Sequence, residues 1–182
     1  MKKFKNIKIF TDYVCPWCYL GHSRIKKLIK NFDLNFEFIH FPLHPKTPKE
    51  GLKLIDLFNC SDKELEFKNE NMAVLMKSEN LKFNYRTHTY NSRLAQEVGI
   101  WGDEIYNKFN IHDRFYEAYF VENKNLNDKN VLLEVIELSG LDTREGEQII
   151  NKRLFKNKVD EHWKLSYQYG VTGVPTYIIN NK

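Results

Sequence analysis

The chain has 182 residues, of which 42% are hydrophobic and 14% aromatic, and its formal net charge is +4. These values suit a globular chain with a hydrophobic core, and the mixing of basic and acidic residues argues against a nucleic-acid partner. No stretch approaches the roughly 18 apolar residues of a membrane span. The basic start at Met1–Lys3 is followed by no apolar signal-peptide core, so we expect a cytoplasmic protein without a membrane partner.

A short strand followed by a helix is predicted at the N-terminus, with a C-P-W-C motif at residues 15–18 between them. Residues 7–12 are rich in β-branched and aromatic side chains, and apolar residues recur at helical spacing over residues 20–29. Pro16 suits the first helical turn because it lacks the N–H group that the helix leaves unused. Cys15 then lies at the positive end of the helix dipole, which favours its thiolate. The pattern indicates dithiol–disulfide exchange.

A C-x-x-C motif is also half of a structural zinc site, which needs four ligands, usually in two short-spaced pairs. The third cysteine, Cys60, stands alone in its segment. His22 can form a trio with Cys15 and Cys18, but no fourth ligand lies nearby in the sequence. We therefore expect no metal site. Cys60 is interpreted as a half-buried cysteine at a helix end, without a predicted role.

A second motif lies far along the chain, where a glycine-rich turn runs into a β-branched strand at residues 170–179. Pro175 opens this strand, so the Val174–Pro175 bond is a candidate for a cis peptide. Only about one X-Pro bond in twenty is cis, so the turn alone is weak support. The combination of this turn with the C-P-W-C motif is much more specific support for a redox function.

Together the two motifs resemble those of the DsbA-like thioredoxin-fold oxidoreductases of the FrnE type. Residues 12–21 (D-Y-V-C-P-W-C-Y-L-G) and 170–176 (G-V-T-G-V-P-T) carry the resemblance, and residues 41–45, 91–95 and 115–120 agree with it. This family is related more distantly to hydroxychromene-carboxylate isomerases and kappa-class glutathione transferases. The resemblance implies an α/β thioredoxin fold with an all-helical domain inserted between its second strand and its returning helix.

The expected division of the chain follows from this fold. Residues 1–45 form a strand, the active-site helix and a second strand; residues 46–155 form the helical insertion; and residues 156–182 form the returning helix, the cis-proline turn and a strand. The resemblance also implies a further strand and a final helix beyond this point. A sheet without them would expose an edge and an apolar face, so either the chain is truncated at its C-terminus, which we expect, or something else covers that surface.

Within the insertion, residues 46–155, no strand-like run appears, and helix caps and stops are visible in the sequence. Helix starts are predicted at the capping box Ser61–Glu64, at Asn91 or Ser92, at Asp103 and at Asp128, and helix ends at Gly99 and Gly140.

The motifs predict distinct roles for the residues of the site. Cys15 is the nucleophile, and Cys18 resolves the mixed disulfide and is the more buried thiol with the higher pKa. Val174 and Pro175 face the cysteines, and the Val174 backbone pairs with a substrate peptide as an added strand. Trp17 is expected to be exposed and to contact apolar parts of the substrate.

Two further candidates lie close to the motif. Asp12, three residues before Cys15, is a candidate proton relay for Cys18, and the alternative is a residue that caps or solvates the strand end. His22, one helical turn after Cys18, is a candidate for tuning the site, although an ordinary histidine on the helix surface is the favoured interpretation.

The predicted function is that of a thiol–disulfide oxidoreductase that acts on protein disulfides or dithiols, with glutathione as a further candidate partner and no cofactor. A glutathione-dependent isomerase or transferase stays open as an alternative. Relatives of that class carry serine at the position of Cys15 and lack the second cysteine. The presence of both cysteines here therefore argues against that class. A non-catalytic binding module with a thioredoxin face is the other alternative.

Overall fold

The computed structural model describes residues 7–32, 34–106 and 110–180, without the side chain of Tyr106. Eight helices and five strands lie within these ranges. They follow one another as β1 (Ile7–Thr11), α1 (Pro16–Asn31), β2 (Phe36–His40), β3 (Leu52–Lys53), α2 (Leu54–Phe58), α3 (Asp62–Ser78), β4 (His88–Thr89), α4 (Arg93–Tyr106), α5 (Asn110–Phe120), α6 (Lys129–Leu138), α7 (Thr143–Lys152), α8 (Lys156–Gln168) and β5 (Thr176–Ile179).

The main sheet has the strand order β2-β1-β5, with β2 parallel and β5 antiparallel to the central strand β1. In this register Phe10 pairs with Thr176, so the chain leaving β1 lies beside the chain that enters β5. The turn that carries the cysteines is thereby brought next to Pro175. The order β1-α1-β2, followed later by α8 and β5, is the arrangement that the sequence predicted for a thioredoxin fold.

Helix α1 starts as its sequence predicts. Cys15 is the N-cap residue with an extended backbone (φ −92°, ψ 115°), and proline follows it in the first turn. Since the side chain of Cys15 makes no capping hydrogen bond, its sulfur stays available at the helix start.

The inserted segment is mostly helical but not wholly so. A short antiparallel pair joins β3 to β4, with Leu52 opposite Thr89, and the expectation of an all-helical insertion is wrong in this detail. Strands of two residues are too short to show the period of two by which strands are recognised. The capping box at Ser61 is present, and Asp128 caps α6 through the N–H of Asn130.

Helix α4 corrects two of the predicted boundaries. It continues through Gly99, which was expected to end a helix, and it includes Asp103, which was expected to begin one. A Cβ at residue 99 would lie 2.1 Å from the hydroxyl of Tyr13, so the glycine makes room for a buried side chain rather than stopping the helix. Phe109, which belongs to the helical segment predicted to start at Asp103, lies outside the described residues.

The largest hydrophobic cluster joins the cysteine turn to the inserted helices. Tyr13, Cys15 and Cys18 belong to the same cluster as the buried residues of α5, including Phe115 and Tyr116. The insertion therefore packs directly against the motif. The predicted domain boundaries and the predicted truncation stay predictions. None of the helices in the described part of the chain has the length and apolarity needed to cross a membrane.

Candidate active site

The two cysteines of the motif are free thiols in contact at the start of α1. The Cys15 carbonyl accepts hydrogen bonds from the N–H groups of Cys18 (3.0 Å) and Tyr19 (3.2 Å), which form the first helical turn. Cys15 is 3% exposed and Cys18 is 2% exposed. The expected contrast in exposure is thus small, and both residues belong to the hydrophobic cluster that joins the cysteine turn to the inserted helices.

The sulfur of Cys15 lies among hydrogen-bond donors. The Cys18 thiol is the first cause that lowers the pKa of Cys15, and the backbone N–H groups of Cys18 and Trp17 lower it further. Burial and the charge of Asp12 act in the opposite direction. The thiol of Cys15 donates to the carbonyl of Val174 at 3.3 Å. That bond favours the protonated thiol, but the donors outweigh it and the net shift of the Cys15 pKa is downward, which favours a thiolate.

The sulfur of Cys18 has the opposite character. Burial is the main cause that raises its pKa well above the usual value, and the neighbouring Cys15 adds to this effect. A hydrogen bond from the Thr11 side chain and one from the backbone N–H of Asp12 lower it in part. The pair therefore combines one thiol that ionises readily with one that holds its proton.

The loop before β5 lies against Cys15. The Val174–Pro175 bond is cis, and both residues border an apolar groove of about 660 Å³ along α1. Trp17 is 51% exposed, which agrees with its predicted exposure, and it lines the groove. Arg24 at the groove is ion-paired with Glu79, the residue after α3, with 2.8 Å between Nε and Oε1.

Asp12 is fully buried, and burial raises its pKa from 3.8 to about 6. Its carboxylate accepts hydrogen bonds from the backbone of Val14 (3.1 Å) and Leu43 (3.2 Å) and from the side chain of Gln96 (3.1 Å). The carboxylate therefore ties the cysteine turn to the loop after β2 and to α4. Its contact with Cys18 is made by the backbone N–H, and a proton-relay role for the carboxylate stays a prediction.

His22 is buried, so the favoured interpretation as a surface histidine is wrong. Its Nε2 lies 2.8 Å from Oδ1 of Asp113 in α5, and its ring centroid lies 5.2 Å from that of Tyr116. Burial lowers its pKa, and the hydrogen bond with Asp113 opposes this effect. His22 joins α1 to the insertion, and a role in tuning the thiols stays a prediction.

Sequence reasoning missed two hydroxyl groups near Cys18, those of Thr11 and Tyr116, which lie 2.7 Å apart. Thr11 ends β1, and this position is the signal that could have identified it. Cys60 is a partly buried free thiol just after α2. Within the described ranges, no group of three or more His, Cys, Asp or Glu side chains is placed to hold a metal ion.

A family model for the DSBA-like thioredoxin domain matches residues 6–182. The chain belongs to this family. It is 29% identical over 179 residues to the uncharacterized protein YwbO of Bacillus subtilis, a match that covers 97% of this chain and 87% of that protein. The FrnE type is a narrower assignment that stays a prediction.

Solved structures show the same fold. A probable DsbA oxidoreductase from Streptomyces coelicolor has a TM-score of 0.88 at 22% identity, covering 96% of this chain and 80% of that chain. A 2-hydroxychromene-2-carboxylate isomerase has a TM-score of 0.74 at 17% identity, covering 97% and 85% of the two chains. The cytosolic disulfide reductase DsbM from Pseudomonas aeruginosa, solved with GSH, has a TM-score of 0.70 at 13% identity and covers 97% and 87%.

Proposed function

We propose that the protein is a thiol–disulfide oxidoreductase that uses Cys15 and Cys18 as its redox pair. The observation that carries the proposal is the contact between two free thiols whose pKa values move in opposite directions, that of Cys15 down and that of Cys18 up. A lowered pKa provides the attacking thiolate, and a raised pKa keeps the second thiol protonated until the mixed disulfide has formed.

The reaction proceeds in two exchange steps. The Cys15 thiolate attacks one sulfur of a client disulfide, forms a mixed disulfide and releases the other client sulfur as a thiolate. Cys18 then loses its proton and attacks the sulfur of Cys15, so that the Cys15–Cys18 disulfide forms and the client leaves as a dithiol. In the reverse direction, a client thiolate attacks the oxidised pair. Both directions proceed without a cofactor.

The loop before β5 is the proposed docking edge for the client. The Val174 carbonyl accepts from the Cys15 thiol at 3.3 Å, so a peptide whose cysteine reaches Cys15 must pass this backbone. An extended peptide there adds as a strand through hydrogen bonds with Val174, and Pro175 and Trp17 offer apolar contacts beside it.

Glutathione and a cytoplasmic location are part of the same proposal. One structural neighbour is named a cytosolic disulfide reductase and was solved with GSH. In a reducing compartment a C-x-x-C pair is more often catalytic than structural.

The similarity to an isomerase structure keeps a second function in view, but it is a similarity of fold. A resolving thiol has no role in glutathione-dependent isomerisation, and the contact between Cys15 and Cys18 therefore favours exchange. A binding module without activity has no need for the split in pKa between the two thiols.

Reduction of insulin by dithiothreitol, followed as turbidity, tests the proposal. We expect the wild-type protein to accelerate the reaction, Cys15→Ser to lose the acceleration, and Cys60→Ser to keep it. An isomerase or a binding module predicts no acceleration by the wild-type protein. Equal rates for the wild type and Cys15→Ser would reject the assignment of the nucleophile.

A further inference from the structure

Cys18 faces two hydroxyl groups that come from different parts of the chain. The side chain of Thr11, at the end of β1, hydrogen-bonds to the sulfur of Cys18. The hydroxyl of Tyr116, in the middle of α5, lies 2.7 Å from that of Thr11. Thr11 is 3% exposed and Tyr116 is 1% exposed, so both hydroxyl groups are shielded from water.

The chemistry of these groups fixes the direction of the hydrogen bonds once Cys18 is ionised. A thiolate only accepts hydrogen bonds, so the proton of the Thr11 hydroxyl points to the sulfur. The oxygen of Thr11 is then free to accept, and the hydroxyl of Tyr116 donates to it. The two groups form a chain of donors that ends on the sulfur, and such chains polarise and strengthen one another in a buried site.

Other groups around the sulfur do not replace this chain. The carboxylate of Asp12 accepts from Val14, Leu43 and Gln96 and has no donor to offer when ionised. The backbone N–H of Asp12 does donate to Cys18, but a thiolate has further lone pairs that can accept hydrogen bonds. A buried anion without enough donors is strongly destabilised, so the hydroxyl of Thr11 matters most while Cys18 carries charge.

We propose that Thr11 is a catalytic residue of the resolving step and that Tyr116 is its positioning residue, supplied by the inserted helices. This inference rests on the proposed exchange function. In the step, Cys18 gives up its proton and its electron pair forms a bond to the sulfur of Cys15. The bond between Cys15 and the client sulfur breaks, and the client leaves with that electron pair as a thiolate, which takes up a proton. Thr11 stabilises the Cys18 thiolate before and during the attack.

The attack by Cys15 and the resolution by Cys18 can be measured separately with dithiobis(nitrobenzoate), an aromatic disulfide that releases coloured nitrothiobenzoate. The measurement uses the reduced protein in a Cys60→Ser background, which removes the third thiol. Attack by Cys15 releases one coloured thiolate in a first phase, and resolution by Cys18 releases a second one in a later phase. Stopped-flow absorbance gives both rate constants for each variant.

We expect Thr11→Val, which keeps the shape and removes the hydroxyl, to slow the second phase about tenfold and to leave the first phase unchanged. Thr11→Ser, which keeps the hydroxyl, restores the second phase. Tyr116→Phe slows the second phase about threefold, because it acts through Thr11.

Tyr119→Phe is the matched control. It removes a buried hydroxyl group that lies on the same helix as Tyr116 and donates to the carbonyl of His88, and we expect both phases to stay unchanged.

A second phase of normal rate in folded Thr11→Val would overturn the inference, as would a Thr11→Ser variant as slow as Thr11→Val. If Thr11→Val does not fold, Tyr116→Phe decides, and a normal second phase in that variant rejects the chain of donors. Failure of the proposed function has a different signature, since the wild-type background then shows no second phase at all.

Discussion

The two sides of the dithiol differ in how they are built. The open side is defined by Cys15, Trp17, Val174, Pro175 and Tyr177. There the sulfur of Cys15 accepts hydrogen bonds from backbone N–H groups at the helix start and lies beside the apolar groove. The sealed side is defined by Tyr13, Cys18, Thr11 and Tyr116. There the sulfur of Cys18 accepts a hydrogen bond from the Thr11 side chain of β1 and is packed against α5. In the proposed function, the open side meets the client and the sealed side keeps the second thiol protonated until the mixed disulfide has formed.

This difference shows how one short motif gives two cysteines with different chemistry. The helix start is formed within the motif itself, so the pKa of Cys15 is lowered by neighbours in sequence. Cys18 is buried by residues about a hundred positions away, because Tyr116 closes the site from the insertion. We infer that the insertion sets the properties of Cys18 more than those of Cys15.

The largest effect is expected from serine at each cysteine. Cys15→Ser abolishes disulfide exchange, since a hydroxyl is a poor nucleophile toward sulfur. Cys18→Ser keeps the attack and loses the resolution, so covalent Cys15–client adducts accumulate. Non-reducing gels of both variants expressed in cells, with Cys60→Ser as the control, measure this. Adducts in Cys15→Ser that disappear in Cys60→Ser would place the nucleophile at Cys60.

Changing one glycine to alanine on each side, and measuring the loss of stability, shows how firmly the sealed side and the open side are packed. A Cβ at residue 99 would lie 2.1 Å from the hydroxyl of Tyr13, which is fully buried and held by His112 at 2.6 Å. We expect Gly99→Ala to lower the free energy of unfolding by about 3 kcal/mol, because neither group is free to move.

The control for that variant lies on the open side. A Cβ at Gly21 would lie 2.3 Å from the hydroxyl of Tyr177, which is 38% exposed and has room to turn into the groove. We expect Gly21→Ala to change stability by less than about 1 kcal/mol, since alanine is also the better helix former. Urea unfolding followed by circular dichroism measures both variants. Equal losses would show that the two sides are packed alike.

The buried carboxyl of Asp12 predicts a dependence of stability on pH. Its pKa in the folded protein is raised from 3.8 to about 6, so the folded state holds this proton more tightly than the unfolded state. Its contribution to stability is therefore greatest below about pH 4 and decreases by about 3 kcal/mol in total as the pH rises through about 6. Asp12→Asn has no such proton and serves as the reference.

Unfolding of the wild type and Asp12→Asn in urea across this pH range measures the difference between them. We expect the stability of the wild type relative to the variant to decrease as the pH rises. A constant difference would mean that the carboxyl of Asp12 titrates with its ordinary pKa, and its burial would then be matched by its hydrogen bonds to Val14, Leu43 and Gln96.

The sequence predicted the open side well because its chemistry is local. Pro16 in the first turn and Cys15 at the N-cap depend on neighbouring residues, and so does the exposure of Trp17. The sealed side could not be predicted in this way. Thr11 and Tyr116 are 105 residues apart, and no period or spacing connects them.

The wrong helix boundary at Gly99 has the same physical origin. Glycine is a common stop signal, so a helix end was a reasonable prediction from sequence. The structure uses this glycine for the close approach of Tyr13 instead, a contact made by the cysteine turn far away in sequence. Predictions failed mainly where the insertion and the motif pack together, which is where tertiary contacts decide the role of a residue.

The smallest effect is expected from the exposed side chain of the motif itself. Trp17→Ala keeps the backbone N–H that faces Cys15, so the pKa of that thiol and the rate with a small disulfide reagent stay the same. It removes apolar surface beside the groove, and we expect the KM for insulin to rise about threefold, equivalent to about 0.7 kcal/mol. Phe67→Ala removes an exposed aromatic ring from α3 and is the matched control, with no expected change in either rate. A loss of rate with the small reagent in Trp17→Ala would show that the ring acts on the sulfur and not on the client.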